Sequence, residues 1–447
     1  MNYRKYSRIS FPVIVLFLFL HFTTNPSHAF ICSIFSQESS KQQLITDVEH
    51  TNITILGAGT FGTAVGNALA HAGFHVTIWT KHSTHILEEI NTDHTSEKLL
   101  DRVGKKIPLS NNLKGVPDLR EAVQAADIIF FAVTSKGAAK TAEELSHIMH
   151  TGTPSPIIVS LDKGFGYLIN DEKEKHPLRM LDIIAHYLPS PYSNKNLVYA
   201  SGPMLAPDIA LEKETFLVVA SRNIANARKV QAVMNKAFGA EMTKDVAGTQ
   251  VCAATKNPLA IMYGILEAAA EKNVLSIGKN TISAYFTYAL EEMQFLAKTI
   301  SPRMYKRTVA GLAGAADFHV TTEGGRNVKF GKGTAEDYFD QNVLEEKLRV
   351  FQKRIQEIET SRKSEDTIEG IAATRSIYIL SKQMGISLPI IETLYRILYE
   401  GARLEDELPR LVQLLPKAYP KTTPKGPLKD RIFIWGRNTY DLFFNGD

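Results

Sequence analysis

Residues 53–66 read ITILGAGTFGTAVG, and no other stretch restricts the fold so strongly. Ile53, Ile55 and Leu56 make a short apolar strand, and Gly57, Gly59 and Gly62 follow it in GxGxxG order. Ala64, Val65, Ala68 and Leu69 then recur at helical spacing. Strand, glycine turn and helix, in that order, are the context in which the pattern marks a dinucleotide site. Gly57 permits the tight turn, Gly59 lets the backbone approach a pyrophosphate, and Gly62 lets the helix pack on the strand. The free N–H groups at the helix start favour an anion.

From residue 51 the text alternates strand-like and helix-like segments. Apolar strands are expected at 76–79, at 128–133 (IIFFAV), at 157–161 (IIVSL), at 197–200 and at 216–220. Fully apolar runs of this kind are buried on both faces of a parallel sheet. The alternation predicts an α/β, doubly wound domain over residues 51–246. Beyond it, helix-period apolar residues dominate, at 281–300, 369–384 and 390–399, so a second, all-α domain is expected over 247–415. The charged stretch within 332–366 reads as a solvated helix with Leu348, Phe351 and Ile355 facing inward. The tail, 416–447, opens as a basic linker, with three prolines in KAYPKTTPKGP, and ends in an apolar segment, RIFIWGRNTYDLFF.

The 447 residues allow two or three domains, and 44% apolar with 22% charged residues is normal for a soluble globular chain. A net charge of only +4, without a basic block among aromatics, offers no footprint for nucleic acid. Cys32 and Cys252 are the only cysteines, too few for a disulfide framework, and the usual zinc spacings are absent, so no metal site is expected.

The first residues do not belong to the fold. Arg4, Lys5 and Arg8 precede an apolar run at 11–22 and a small-residue site, Ser27-His28-Ala29. That order describes a signal peptide over 1–29, with an uncleaved anchor as the alternative. The run is short for a membrane span, so none is expected in the mature chain. Phe30 and the hydroxyl-rich stretch to residue 50 resemble the bipartite leader of complex plastids, as in diatoms and related algae. The expected address is therefore a plastid reached by the secretory route, with secretion or an endomembrane lumen as the alternative. Scarce cysteines fit a compartment other than the oxidising exterior.

Several places gather polar residues at the ends of apolar segments. Lys163 follows IIVSL in LDKGFG and reads either as a surface lysine or as a ligand; Gly202 and Pro203 follow LVYA in ASGPMLA. Lys256 lies in VCAATKNPLAIMYGI, where loss of hydration would lower its pKa and make it a usable acid or base. The alternative is a lysine that snorkels to solvent. Asn257 shares its setting. Asp317, in GLAGAADFHVTT, needs a cation if buried, and Lys256 is a candidate. GGRN at 324–327 offers backbone amides, an arginine fork and an amide, a set suited to phosphate.

Together these segments resemble the NAD(P)-dependent glycerol-3-phosphate dehydrogenases from about residue 52 to 401. The motifs recur in family order: GAGTFGTA, SLDKGFG, SGPMLAPDIA, ATKNPLAI, GLAGAADF, GGRN with KFG, TIEG, and LPIIETLYRILYEG. The resemblance assigns Gly57, Gly59, Thr60, Phe61 and Gly62 to the cofactor loop, and Lys81 and His82 to the adenosine ribose. Lys163 falls near nicotinamide and substrate, and Gly202 and Ala206 make the SGP-segment contacts. Lys256 takes the place of the catalytic lysine and Asp317 that of its acidic neighbour, with Asn257 and Thr321 among the substrate contacts. Arg326 and Asn327 match the pair near the phosphates, and Thr367 and Glu369 the late cofactor contacts.

The implied fold is a Rossmann domain followed by a helical one, with the site between them, and a homodimer is implied. The implied reaction interconverts dihydroxyacetone phosphate and sn-glycerol 3-phosphate, with Lys256 donating or accepting the proton. Met204, Lys279, Thr287 and Gly325 depart from the family's usual pattern. Another reductase with a helical second domain, of hydroxyacid or ketopantoate type, is an alternative that GGRN and TIEG disfavour. A catalytically silent nucleotide-binding regulator is the other, and the intact Lys256, Asp317, Arg326 and Asn327 speak against it.

Overall fold

A computed structural model describes residues 48–81, 83–149, 155–169, 175–189, 196–301, 306–360 and 368–419. The chain divides into two compact units, Met1–Thr51 and Asn52–Asp447, and the second carries the elements that follow.

Eight strands form one sheet: β1 (Ile53–Leu56), β2 (Val76–Trp79), β3 (Leu113–Val116), β4 (Ile128–Phe131), β5 (Ile157–Ser160), β8 (Leu197–Ser201), β9 (Phe216–Ala220) and β10 (Gly239–Thr243). Two more, β6 (Phe165–Ile169) and β7 (Lys175–Arg179), pair as a separate antiparallel hairpin. The spatial order is β10-β9-β8-β5-β4-β1-β2-β3. Pairing is parallel except between β8 and β9, with Ile53 opposite both Val76 and Ile128. Every residue of β1, β4 and β5 is buried, which is why these strands read as largely apolar runs, broken only by the hydroxyls of Thr54 and Ser160. The strand order reverses between β1 and β4, and the carboxyl ends there open a ligand crevice.

The expected strands are present: β2 and β9 have the expected bounds, β4 and β5 stop two residues and one residue early, and β8 runs one residue further. Sequence reasoning passes over β3 and β10, which are the two edges of the sheet. An edge strand is covered on fewer sides, so LKGV and GAEMT lack the apolar run that marks the centre.

The helices that position the site are α1 (Thr60–His71), α2 (Ser135–Ser146), α3 (Ala206–Ala210), α4 (Val246–Glu271), α5 (Lys279–Ile300), α6 (Asp317–Thr322), α7 (Arg326–Asp340), α8 (Leu344–Thr360), α9 (Glu369–Gln383), α10 (Pro389–Tyr395) and α11 (Leu404–Ala418). The last sheet strand ends at Thr243, and α4 begins at Val246 with Asp245 as its cap, accepting from the Gly248 N–H at 2.8 Å. A helix apolar on all sides belongs at the centre of a core. α4 is such a helix, and α5, α7 and α9 pack around it. The crossing with α7 is close because two glycines allow it. A Cβ on Gly264 would lie 2.2 Å from the Val328 carbonyl oxygen, and one on Gly331 would lie 2.1 Å from that of Ile261.

Phe351 and Ile355 of α8 are buried as its spacing predicts, while Leu348 is half-buried. Buried Glu292 on α5 accepts the Ile390 and Ile391 N–H groups at 2.9 and 3.0 Å and so caps α10. Among the described residues no helix is long and apolar enough to cross a membrane.

Candidate active site

The glycine turn has the geometry that the three roles assigned by its spacing require. Gly57 has φ +119°, and a Cβ there would sit 2.7 Å from the Ala132 carbonyl oxygen at the end of β4. A Cβ on Gly62 would fall 2.0 Å from the Gly57 carbonyl oxygen, so α1 packs on the turn only with glycine. Gly59 differs: a Cβ there would meet nothing within 4 Å, so its face is open for approach. Gly59 is also the α1 N-cap, and no side chain caps it. Thr60 and Phe61 are the first two residues of α1, and the open first turn suits a phosphate. Ala206 begins α3, which packs against α1.

The carboxyl ends of β5 and β8 share this edge and deliver Lys163 and Gly202. Lys163 Nζ donates to the Gly202 carbonyl at 2.8 Å and to the Asp317 carboxylate at 3.1 and 3.2 Å. From the other side, Lys256 Nζ on α4 donates to Asp317 Oδ1 at 2.5 Å and to Thr321 Oγ1 at 3.1 Å. Thr321 Oγ1 in turn donates to the Asp317 carbonyl at 2.6 Å. Asp317 is only 1% exposed, so two ammonium groups, rather than the single partner expected from sequence, neutralise one buried carboxylate.

Burial pushes the Lys256 ammonium down to about 8; Asp317 opposes that shift and the Lys163 charge adds to it. Lys256 is not a snorkelling lysine, being 5% exposed. Pro258, two residues on, lacks the N–H that would bond the Ala254 carbonyl, so the helix is locally loosened beside the lysine.

A second chain of hydrogen bonds starts at the neighbouring residue. Asn327 Nδ2 on α7 donates to Asn257 Oδ1 at 3.0 Å, and Asn257 Nδ2 donates to Glu369 Oε2 at 3.0 Å. The Gly370 N–H donates to Asn327 Oδ1 at 2.9 Å. Asn327 and Arg326 form the first turn of α7, whose cap, Gly325, has no side-chain bond, again an anion-favouring helix start. Lys163, Gly202, Lys256, Asn257, Asp317, Thr321, Asn327 and Glu369 are thus brought together. His82 and Thr367 lie outside the described residues.

The structure adds residues that the sequence reading overlooked. Ser201 Oγ lies 3.5 Å from Asp317 Oδ2. Asp162, beside Lys163, accepts from Ser135 Oγ at 2.8 Å through Oδ1, and its buried Oδ2 has no partner among the described residues. Burial, reinforced by the Glu369 charge, pushes its carboxyl up to about 8 against the Ser135 hydrogen bond. A carboxylate closing an apolar strand was the signal available in SLDKGFG. Lys81, after β2, is ion-paired with Glu144 of α2. No sequence signal connects those two, because the pairing spans 63 positions.

Comparison with known proteins gives a consistent picture. Residues 52–227 match the family model described as NAD-dependent glycerol-3-phosphate dehydrogenase N-terminus, and residues 245–408 match its C-terminus counterpart. A Treponema denticola protein named glycerol-3-phosphate dehydrogenase, NAD(P)+, is 30% identical over 369 residues, covering 81% of this chain and 98% of its own. A Latilactobacillus sakei protein of the same name is 28% identical over 365 residues, covering 81% and 96%. Among solved structures, a Coxiella burnetii glycerol-3-phosphate dehydrogenase superposes with a TM-score of 0.65 at 24% identity, over 83% of this chain and 99% of that one, a likeness of fold.

Proposed function

The chain belongs to the NAD-dependent glycerol-3-phosphate dehydrogenase family, and on that premise we propose that it interconverts dihydroxyacetone phosphate and sn-glycerol 3-phosphate using NAD(P)(H), with Lys256 as proton donor and acceptor. The observation that carries the reading is a lysine buried in an apolar helix, 2.5 Å from Asp317, with an ammonium pushed down to about 8. A group that titrates so near neutrality can serve in both directions.

The dinucleotide fits the crevice: Gly59 leaves the open face that a pyrophosphate needs, and the α1 N–H groups lie behind it. When bound, the nicotinamide gives or takes the hydride at the second carbon of the substrate. Lys256, as ammonium, polarises the carbonyl oxygen and protonates the alkoxide that develops there. In the oxidising direction the amine takes that proton back. Asp317, held between Lys163 and Lys256, fixes the ammonium and favours its charged form. Arg326, Asn327 and the first turn of α7 hold the substrate phosphate, while Glu369 and Lys163 border the nicotinamide end. The protein acts as a homodimer, as family resemblance implies. Consumption of NADH or NADPH on adding dihydroxyacetone phosphate tests the reading; a purified, folded chain that consumes neither would refute it.

The address is proposed from sequence alone. Residues 1–29 open the secretory route, and Phe30 with the segment to residue 50 redirects the chain into a complex plastid, where glycerol 3-phosphate would feed glycerolipid synthesis. A fluorescent fusion of residues 1–50, expressed in an alga with complex plastids, should reach the plastid. Phe30→Ala should divert it to the endoplasmic reticulum or medium. Secretion of the unmutated fusion, or a cytosolic signal, would refute the address.

A further inference from the structure

We infer that Lys81 and Glu144 form a two-faced ribose site, in which Lys81 receives the 2′-phosphate of NADP(H) and Glu144 the 2′-hydroxyl of NAD(H). The inference rests on the proposed use of a dinucleotide and goes beyond it by naming what sets the choice between the two forms. NAD-selective Rossmann sites place a carboxylate at the end of the second strand, where it accepts a hydrogen bond from the ribose 2′-hydroxyl. Here β2 ends at Trp79, and the residues that follow are Thr80 and Lys81. The position is the right one, because the Gly57 N–H bonds the Trp79 carbonyl at 2.9 Å and ties the end of β2 to the glycine turn itself.

The carboxylate arrives instead from another element. Glu144 lies on α2, which starts just beyond β4 across the switch point, and its side chain pairs with the Lys81 ammonium. Its flanking helix is anchored: Ala142 and Leu145 pack in one apolar cluster with Leu56 and Trp79, so β1, β2 and α2 hold the pair in place together. Both members are partly exposed, with side chains 42% and 27% accessible, so either can exchange its partner for a ligand. A 2′-phosphate carries close to two negative charges and competes for Lys81, but it then lies against Glu144 and is repelled. A 2′-hydroxyl donates to Glu144 and leaves Lys81 paired. Each cofactor therefore satisfies one member and is penalised or ignored by the other, which produces dual use.

The test is direct binding to the full chain, read by reduced-nicotinamide fluorescence for NADH and NADPH. Calorimetry with ADP-ribose and 2′-phospho-ADP-ribose provides a readout independent of turnover. Because a charged hydrogen bond is at stake, Glu144→Gln should tighten NADPH about fivefold and weaken NADH about threefold, while Lys81→Met should weaken NADPH about tenfold and leave NADH within about twofold. In the double variant the NADPH gain should vanish, since it acts through Lys81. If Glu144→Gln moves both cofactors in the same direction, or moves neither, the two-faced site is wrong while the dinucleotide reading stands. If the unmutated chain binds neither dinucleotide, both fall.

Discussion

Two lysine–carboxylate pairs in this molecule share their chemistry and differ in their surroundings. In Lys256–Asp317 the side chains are 7% and 1% exposed; in Lys81–Glu144 they are 42% and 27%. A pair of unit charges at 4 Å is worth about 1 kcal/mol in water and about 4 kcal/mol in the lower effective dielectric near protein. In the buried pair, desolvation therefore sets the direction of the Lys256 shift against the pull of Asp317, and Asp317 cannot be removed cheaply from between its two ammonium groups. The exposed pair is loosely held and can be exchanged for a ligand. Burial separates the pair proposed for catalysis from the pair proposed for cofactor choice.

The largest expected effect breaks the buried pair at the lysine. Lys256→Ala should lower turnover by about 10²-fold or more, the span of general acid–base catalysis. Asp317 keeps Lys163 as a partner, so the fold should hold, and substrate binding should suffer less because Arg326 and Asn327 remain. Steady-state kinetics with circular dichroism decides: near wild-type turnover in a folded variant would remove Lys256 from the chemistry.

Breaking the same pair at the carboxylate should cost more stability. Asp317→Asn leaves two ammonium groups facing a neutral amide, and removing one partner of a buried ion pair typically costs about 3–5 kcal/mol. It should also lower the Lys256 pKa below its present value of about 8, since Asp317 is what raises it. On the proposed mechanism, reduction of dihydroxyacetone phosphate uses the protonated lysine, so its rate should decline above about pH 8 in the unmutated protein. In the variant that decline should begin at lower pH. A pH–rate profile that ends at the same place in both would mean that the lysine is not the group observed.

Legibility in the sequence follows the same division. The glycine turn was readable because its constraints are local: three glycines within six consecutive positions specify turn, approach and packing. Lys256 was readable because a charge inside an apolar helical stretch is conspicuous. Its link to Lys163 through Asp317 was not legible, although the resemblance puts Lys163 near the nicotinamide and substrate, because that contact spans 154 positions. The edge strands β3 and β10 escaped because half-covered strands need no apolar run. Glu144 escaped for a related reason: on an exposed helix face a glutamate is ordinary, and only the fold places it beside Lys81.

Asp162 is the intermediate case, a buried carboxyl with no ion pair among the described residues. Its ordinary pKa of 3.8 rises to about 8 in the fold. Between those values the folded chain keeps a proton that the unfolded chain has released, so stability falls as pH rises through that window. Asparagine has the same shape and cannot ionise. Asp162→Asn should match the unmutated chain near the acid end and exceed it by about 1–3 kcal/mol near pH 8, the cost of an unsatisfied buried group. Denaturant unfolding at pH 5 and pH 8 measures the difference; a variant equally destabilised at both would show that the carboxyl has a partner it needs.

The smallest effect on stability should come from the exposed pair. Surface ion pairs contribute about 0–1 kcal/mol, and in a chain above 150 residues 1 kcal/mol moves the melting temperature by roughly 2–4 °C. Glu144→Gln should therefore shift melting by no more than a few degrees, and raising the salt should shrink even that, because exposed charges are screened. This null result is informative only beside the binding data, where the same substitution should move NADH and NADPH in opposite directions. A glutamate that holds the fold would do the reverse, lowering the melting temperature sharply and weakening both cofactors together. Melting scans of Glu144→Gln and Asp317→Asn at low and high salt make the comparison directly. If the two variants lose equal stability, burial does not distinguish the pairs, and the exchangeable role assigned to Lys81 and Glu144 fails with it.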